Sequence, residues 1–255
     1  MRGLNRSRLS DILESVRDLS VMVVGDFALD VYWYIDMTHS ELSRETPHHT
    51  RPVVRETHSP GASGNICWNL RDLGVKEVFA VTAIGEDWRG KILKNELQRL
   101  AVLLDYVLSS SERVTSTYIK PILCGLGCQQ EDARLDFANH KPLSGALENQ
   151  IVRNLELAVL KVDAVIVEDQ MTLNGIVTDR AQERLNKLAE EYPHKTFVVD
   201  SRERIGLFAN MILKPNRIEA VKAMSPSRNP LEVGTDELTE IGRRMQKRAK
   251  RPVYI

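Results

Sequence analysis

Three short constellations hold the residue types that could do chemistry. The first is Gly25-Asp26 with Asp30 four residues beyond Asp26. A carboxylate at such a position could accept two hydrogen bonds from vicinal hydroxyls of a sugar; equally, an aspartate there could end a strand or cap a turn. The second is Ser59-Pro-Gly-Ala-Ser-Gly-Asn65, followed by the helical run ICWNLRDLG. Small residues at a helix start let backbone and ligand approach closely, and free amides there favour polar or anionic groups; tight helix packing would use the same glycines. The third is Lys214-Pro-Asn-Arg-Ile-Glu219, with Asn216 and Glu219 three apart at a helix start. That spacing fits a capping box. It also fits a carboxylate acting through water on a Mg²⁺-bound phosphate, since hard oxygen ligands suit that ion.

Other chemistries lack their signatures. No GxGxxG follows VMVVGDF and no GxxxxGK[ST] occurs, which weakens dehydrogenase and P-loop readings. Cys67, Cys124 and Cys128 are an odd set in a long chain, better read as reduced thiols than as a disulfide framework. Cys124 and Cys128 have metal-like spacing, but no second Cys/His pair completes a zinc site. Six cations between Arg243 and Arg251 share a segment with Leu238, Ile241 and Met245 at helical spacing, so they belong on the solvated side of a helix. Trp33 and Tyr34 could stack on a ligand or pack a lid or subunit contact.

The elements that must position these residues alternate. Leu9, Ile12, Leu13, Val16 and Leu19 predict an amphipathic helix over 8–19, leading into a strand at 21–27 whose continuous apolar run suits a parallel sheet buried on both faces. Residues 31–58 turn to short mixed segments around Pro47 and Pro52, a strand pair outside the main sheet. The pattern then predicts helix 61–73, strand 77–82, helix 88–100 and strand 103–108. A second extended piece at 115–123 rejoins the body at Arg134-Leu-Asp-Phe. Helix 145–159, strand 164–168, helix 174–190, strands 196–200 and 211–213, and helix 216–224 continue the alternation. SPSRNP at 225–230 is the nearest linker candidate, a helix at 236–249 follows Thr235 as N-cap, and VYI at 253–255 opens another buried strand. Repeated strand–helix units imply an α/β fold with a doubly wound, mainly parallel sheet and right-handed crossovers.

Composition narrows the partners. The 255 residues carry 35 Lys plus Arg against 35 Asp plus Glu, which removes the long-range electrostatic argument for nucleic acid or an anionic membrane surface. No apolar run reaches membrane-spanning length, and MRGLNRSRLSDILES has no signal-peptide core. A cytoplasmic enzyme acting on a small molecule, in one domain over 1–255, is the expectation.

Together VVGDFALD, SPGASGN, AIGEDWRG and KPNRIE, in this order, resemble the ribokinase-like, or PfkB, carbohydrate kinases; VVGDFALDVYWY and RLDF look most like the heptose-phosphate kinase branch. The resemblance implies ATP- and Mg²⁺-dependent phosphorylation of a sugar or sugar-phosphate hydroxyl. By it, Asp30 and Asn65 would hold sugar hydroxyls, with Gly61 lining the same site, and Asn216 and Glu219 would sit beside the magnesium and the transferring phosphate, Glu219 supporting the metal. Residues 31–58 and 115–123 would form a β lid, which in relatives can also clasp a second subunit, so a homodimer is a further expectation. Ala62 stands where the second glycine is common. The Gly-Ala-Gly-Asp segment carrying the family's catalytic aspartate has no counterpart up to Ile255, so the chain reads as an incomplete copy, nearly inactive by itself. A non-catalytic sugar-binding protein of the same fold and a nucleoside kinase are the rival readings.

Overall fold

The computed structural model of the chain describes residues 5–255. A first helix, α1 (Arg6–Ser15), and a 3-10 turn at Val16–Asp18 lead into β1 (Ser20–Gly25). β1 is buried along its whole length. Because side chains alternate across a strand, Val21 and Val23 pack on one side of the sheet while Met22 and Val24 pack on the other. An uninterrupted apolar run is what such a doubly covered strand requires.

From β1 the chain passes to β2 (Phe27–Asp36), β3 (Val53–Ala62), α2 (Ser63–Asp72), β4 (Glu77–Gly85), α3 (Trp88–Arg99) and β5 (Leu103–Ser110). Then come β6 (Thr117–Gly125), β7 (Cys128–Glu131), β8 (Leu135–Phe137), α4 (Gly145–Val159), β9 (Ala164–Asp169), α5 (Asp179–Glu191), β10 (Thr196–Ser201), β11 (Ile212–Leu213), α6 (Arg217–Met224) and α7 (Thr235–Ala249). The main sheet is parallel, in the order β11-β10-β9-β1-β4-β5. Cys67 of α2 and Leu93 and Leu97 of α3 fill one face, and Leu155 of α4 with Leu185 and Leu188 of α5 fill the other. Each large aliphatic side chain so buried contributes roughly 1.5–3 kcal/mol.

The second sheet has the order β3-β2-β6-β7, with β8 also paired to β6. Its two central strands, β2 and β6, run parallel. Leu29, Val31 and Ile119 join the core shared with α2 and α3, which anchors this lid to the body. The alternate positions Asp30, Tyr32, Tyr118 and Lys120 occupy the other face, polar and half-buried.

Several boundaries differ from those read in the sequence, each for a local reason. The lid begins at Phe27, one residue after Asp26, and contains five strands rather than a strand pair and one extended piece. Gly61 and Ala62 belong to β3, so α2 starts at Ser63. The helix expected from 174 starts at Asp179 behind the cap Thr178, whose hydroxyl accepts from Ala181 N; residues 170–176 are held instead by Asp26. Thr235 is inside α7, and the N-cap is Gly234. The apolar residues of α1 are not covered: Leu9, Ile12 and Leu13 remain 39–43% exposed. Val253 forms one parallel bridge to Leu213, while Tyr254 and Ile255 stay exposed, so VYI pairs without becoming a buried strand.

Candidate functional site

The order of the main sheet locates the crevice. From β1 the chain builds outward through β4 and β5, and then returns to the other side of β1 with β9, β10 and β11. Ligands of open α/β sheets bind at such a switch point, outside the carboxyl ends of the strands. Gly25 sits there at φ +144°, where a Cβ would lie 2.0 Å from the Glu168 carbonyl oxygen. Only glycine fits this close approach.

Above the crevice lies the polar face of the lid. Asp30 of β2 receives Lys120 Nζ at 3.1 Å from its Oδ1, and Lys120 also donates to the Tyr32 hydroxyl at 3.2 Å. Burial alone would lower the Lys120 pKa, but Tyr32 and Asp30 raise it on balance, so the ammonium stays charged. Gly61 passes so close that a Cβ there would stand 2.9 Å from Asp30 Oδ2. Asp30 and Gly61 are thus brought together, as the sequence reading requires of a shared sugar site. Asn65 lies in the first turn of α2 with an exposed side chain, and no hydrogen bond joins it to Asp30.

The start of α2 is unusual. Its N-cap is Ala62 at φ 49°, ψ −124°, a glycine-like conformation, and no side chain caps the helix. Ser63 is fully buried, and its hydroxyl has no partner. The Ser63 N–H donates to the Asp26 carbonyl at 3.0 Å, and the free buried Ser63 hydroxyl suits an oxygen-bearing ligand.

Along the same sheet edge stand Glu168 and Asp200, each the penultimate residue of its strand (β9 and β10), and Lys214, the residue just after β11. With Gln170, Arg202, Asn216 and Glu219 these line a polar cavity of about 290 Å³. Lys214 Nζ lies 2.7 Å from Asp200 Oδ2, and Gln170 donates to the other oxygen at 3.2 Å. Burial pushes the Glu168 carboxyl up to about 7; the neighbouring Asp200 charge adds to this and Lys214 opposes it. Burial likewise raises Glu219, assisted by Asp200 against the Asn216 amide.

Asn216 and Glu219 do form the capping box. The Asn216 side chain accepts from Glu219 N at 3.0 Å, and Glu219 accepts from Asn216 N at 2.8 Å and from Asn216 Nδ2 at 2.7 Å. Both Glu219 oxygens are therefore already engaged, and remaining lone pairs would reach an ion through water. Among the described residues no three His, Cys, Asp or Glu side chains are preassembled as a metal cage.

Other motif residues are structural. Asp26 is buried and accepts three backbone N–H groups, from Gln170, Met171 and Ile176; burial nonetheless pushes its carboxyl up to about 6. In AIGEDWRG, Asp87 caps α3 through Gly90 N at 2.8 Å and holds Thr115 N at 3.0 Å, tying the root of β6 to the body. Cys124 pairs with Gln129 and Cys128 with Gly125, which puts the two thiols on opposite faces of the hairpin. A larger hollow of about 440 Å³ at that end of the lid, lined by Met37, Leu123 and Leu126 among others, has no charged side chain.

Sequence reasoning missed Lys120, Glu168, Asp200 and Arg202. For two of these a signal existed: the apolar runs AVIV and TFVV each terminate in an acid, Glu168 and Asp200, at the edge where ligands bind.

No family profile matches the chain. It is 29% identical over 175 residues to the bifunctional protein HldE of Trichlorobacter lovleyi, covering 69% of this chain and 34% of that protein. To HldE of Hyphomonas neptunium it is 29% identical over 242 residues, covering 91% and 45%. The chain thus spans less than half the length of these curated relatives. Among solved structures, Arabidopsis thaliana ribokinase complexed with ribose and ATP superposes with a TM-score of 0.59 at 18% identity, over 92% of this chain and 70% of the other. Phosphofructokinase-2 from Escherichia coli in complex with fructose-6-phosphate gives 0.62 at 14% identity, over 91% and 71%.

Proposed function

We propose that this chain, an HldE relative with the ribokinase-like fold of the PfkB sugar kinases, takes part in ATP-dependent transfer of the γ-phosphate to a hydroxyl of a sugar or sugar phosphate. The observation that carries the reading is the pairing, along one carboxyl edge, of a hydroxyl-binding lid face with an acidic pocket whose Glu168 carboxyl is pushed up to about 7. Such a pocket favours a cation, because a nearby positive charge returns a buried carboxylate to its ionised form.

Asp30, with Asn65 and the Gly61 backbone, orients the acceptor by accepting and donating hydroxyl hydrogen bonds. Lys120, 3.1 Å from Oδ1, fixes the Asp30 carboxylate in place. The lid, held to the body through Leu29, Val31 and Ile119, excludes water from the crevice. Asn216 and Glu219 stand on the nucleotide side, with Glu168 and Asp200 facing them. Mg²⁺ held there, by Glu219 through water and by Asp200 or Glu168, would neutralise charge on the phosphate oxygens. Lys214 and Arg202 supply the positive charge this chain itself contributes. Binding and positioning, not proton abstraction, are assigned to these residues. The whole unit works in the cytoplasm, with β3 as the free edge of the lid through which two copies would associate.

Isothermal titration with ribose, fructose 6-phosphate and ATP, each with and without Mg²⁺, tests the reading. Acceptor binding together with Mg²⁺-dependent nucleotide binding is expected. Acceptor binding alone favours the non-catalytic sugar-binding protein, and nucleoside in place of sugar favours the nucleoside kinase. Binding of none of them overturns the assignment.

A further inference from the structure

Asp26 occupies the one residue between β1 of the main sheet and β2 of the lid, and it is 3% exposed. Its backbone is held on both sides: its N–H donates to Glu168 O at 3.1 Å, and its carbonyl accepts from Ser63 N at 3.0 Å. Its carboxylate spans the switch point to the segment after β9. Oδ2 accepts from Gln170 N at 3.1 Å and Met171 N at 2.8 Å, and Oδ1 accepts from Ile176 N at 2.8 Å. Gly175 closes over it, since a Cβ there would sit 3.0 Å from Oδ1.

That segment in turn grips the other root of the lid. Met171 Sδ accepts from the Tyr118 hydroxyl at 3.5 Å. The Asn174 carbonyl accepts from Arg113 Nη2 at 2.8 Å, and Asn174 Nδ2 donates to Asn139 O at 2.9 Å. Asn139 is itself bonded to Val114 in both directions, at 3.0 and 2.9 Å. The two central lid strands, β2 and β6, are parallel and leave the body side by side, with Leu29 N donating to Ser116 O at 2.9 Å. One root is covalently attached to Asp26; the other is reached from its carboxylate through residues 170–176.

We propose that Asp26 is the positioning residue that ties both lid roots to the switch point, and so fixes the acceptor face of Asp30, Tyr118 and Lys120 over the carboxyl ends of β1 and β9. A carboxylate suits this task because it alone among small side chains offers acceptors enough for three converging amides. Its effect on acceptor binding rests on the proposed function; its effect on the lid does not.

The test is hydrogen–deuterium exchange on the intact chain, comparing wild type with Asp26→Asn, which keeps the shape but one acceptor oxygen fewer, and with Asp26→Ala. Exchange in peptides covering 113–118 and 170–176 should rise roughly tenfold in Asp26→Asn and further in Asp26→Ala, with 196–213 unchanged. Should the Asp26 variants fail to fold, Gly175→Ala, which crowds the carboxylate from the loop side, is expected to loosen the same two segments. Calorimetry supplies the second readout: acceptor affinity for ribose or fructose 6-phosphate falls by more than Mg²⁺-ATP affinity, since of the loosened segment only Gln170 reaches the acidic cavity. Unchanged exchange at 113–118, or loosening spread evenly through β9 and β10, overturns the proposal. If wild type binds neither sugar, the sugar reading fails and the exchange result still decides the positioning role.

Discussion

On the lid, Asp30 has Lys120 3.1 Å away and a tyrosine hydroxyl completing the pair. Across the crevice Glu168 has no ion-pair partner among the described residues, and it faces Asp200 while Lys214 is engaged with Asp200. The first region carries its own counter-ion and is organised before any ligand arrives. The second sets three carboxylates against two cations, and Glu168 and Glu219 are kept from ionising freely by burial, with the Asp200 charge adding to it. Under the proposed function, the lid face would hold the acceptor by shape and fixed hydrogen-bond partners, whereas the acidic edge would need a cation brought with the phosphates.

The largest expected effect breaks the organised side. Asp30→Ala should weaken ribose or fructose 6-phosphate binding by about 100-fold, the loss of charge-assisted hydrogen bonds, while leaving Mg²⁺-ATP titrations unchanged; equal loss on both would dissolve the division between the two regions. On the other side, Glu168→Gln should lower Mg²⁺-dependent nucleotide affinity about tenfold, with sugar titrations unaffected.

The same substitution sharpens the contrast through pH. A carboxyl at about 7 in the folded chain against 4.5 unfolded binds its proton more tightly when folded. Its contribution is therefore fully present below pH 4.5 and is lost as pH rises through about 7. After allowance for solvent screening, wild type should lose about 1–2 kcal/mol relative to Glu168→Gln across that window, measured by urea denaturation at pH 5 and pH 8. Added Mg²⁺ at pH 8 should recover part of the loss in wild type alone.

The smallest effect concerns the strained start of α2. Ala62 holds φ 49°, ψ −124°, a conformation costing of order 1–3 kcal/mol for a residue with a Cβ. Ala62→Gly relieves it against a smaller entropic loss, so the melting temperature should rise about 2–4 °C. A fall in melting temperature would mean that the methyl group packs usefully.

Much of the body was legible because its signals are local. β1, β4, β9 and β10 are apolar runs, and α4 spans the 145–159 that its periodicity predicts. In the sequence, Asp30 and Gly61 are joined only through the family resemblance, with Gly61 read as a helix start; it is the β2–β3 register, with Asp30 opposite Ser59 and Ala28 opposite Gly61, that brings them together. What could not be read depends on contacts distant in sequence. The amides on the Asp26 carboxylate come from 144 to 150 residues away, and no periodicity encodes them. That network also displaced the expected helix start from 174 to 179. Lys120 escaped for the same reason, because its partner lies on another strand and its own segment reads only as extended. At Glu219 the capping box is formed, and the same carboxylate also lines the acidic cavity.

The strict alternation of the lid has a consequence for how this protein can change length. Since Asp30, Tyr32, Tyr118 and Lys120 share one side and Leu29, Val31 and Ile119 the reverse, inserting or deleting a single residue inside β2 or β6 would turn the oily side toward the polar face and the charged side into the core. Growth or shrinkage within these strands is confined to steps of two. At the hairpin tip the restriction lapses, because Leu126 is 97% exposed and Gly127 borders open space, so single-residue indels among descendants of this sequence should collect there.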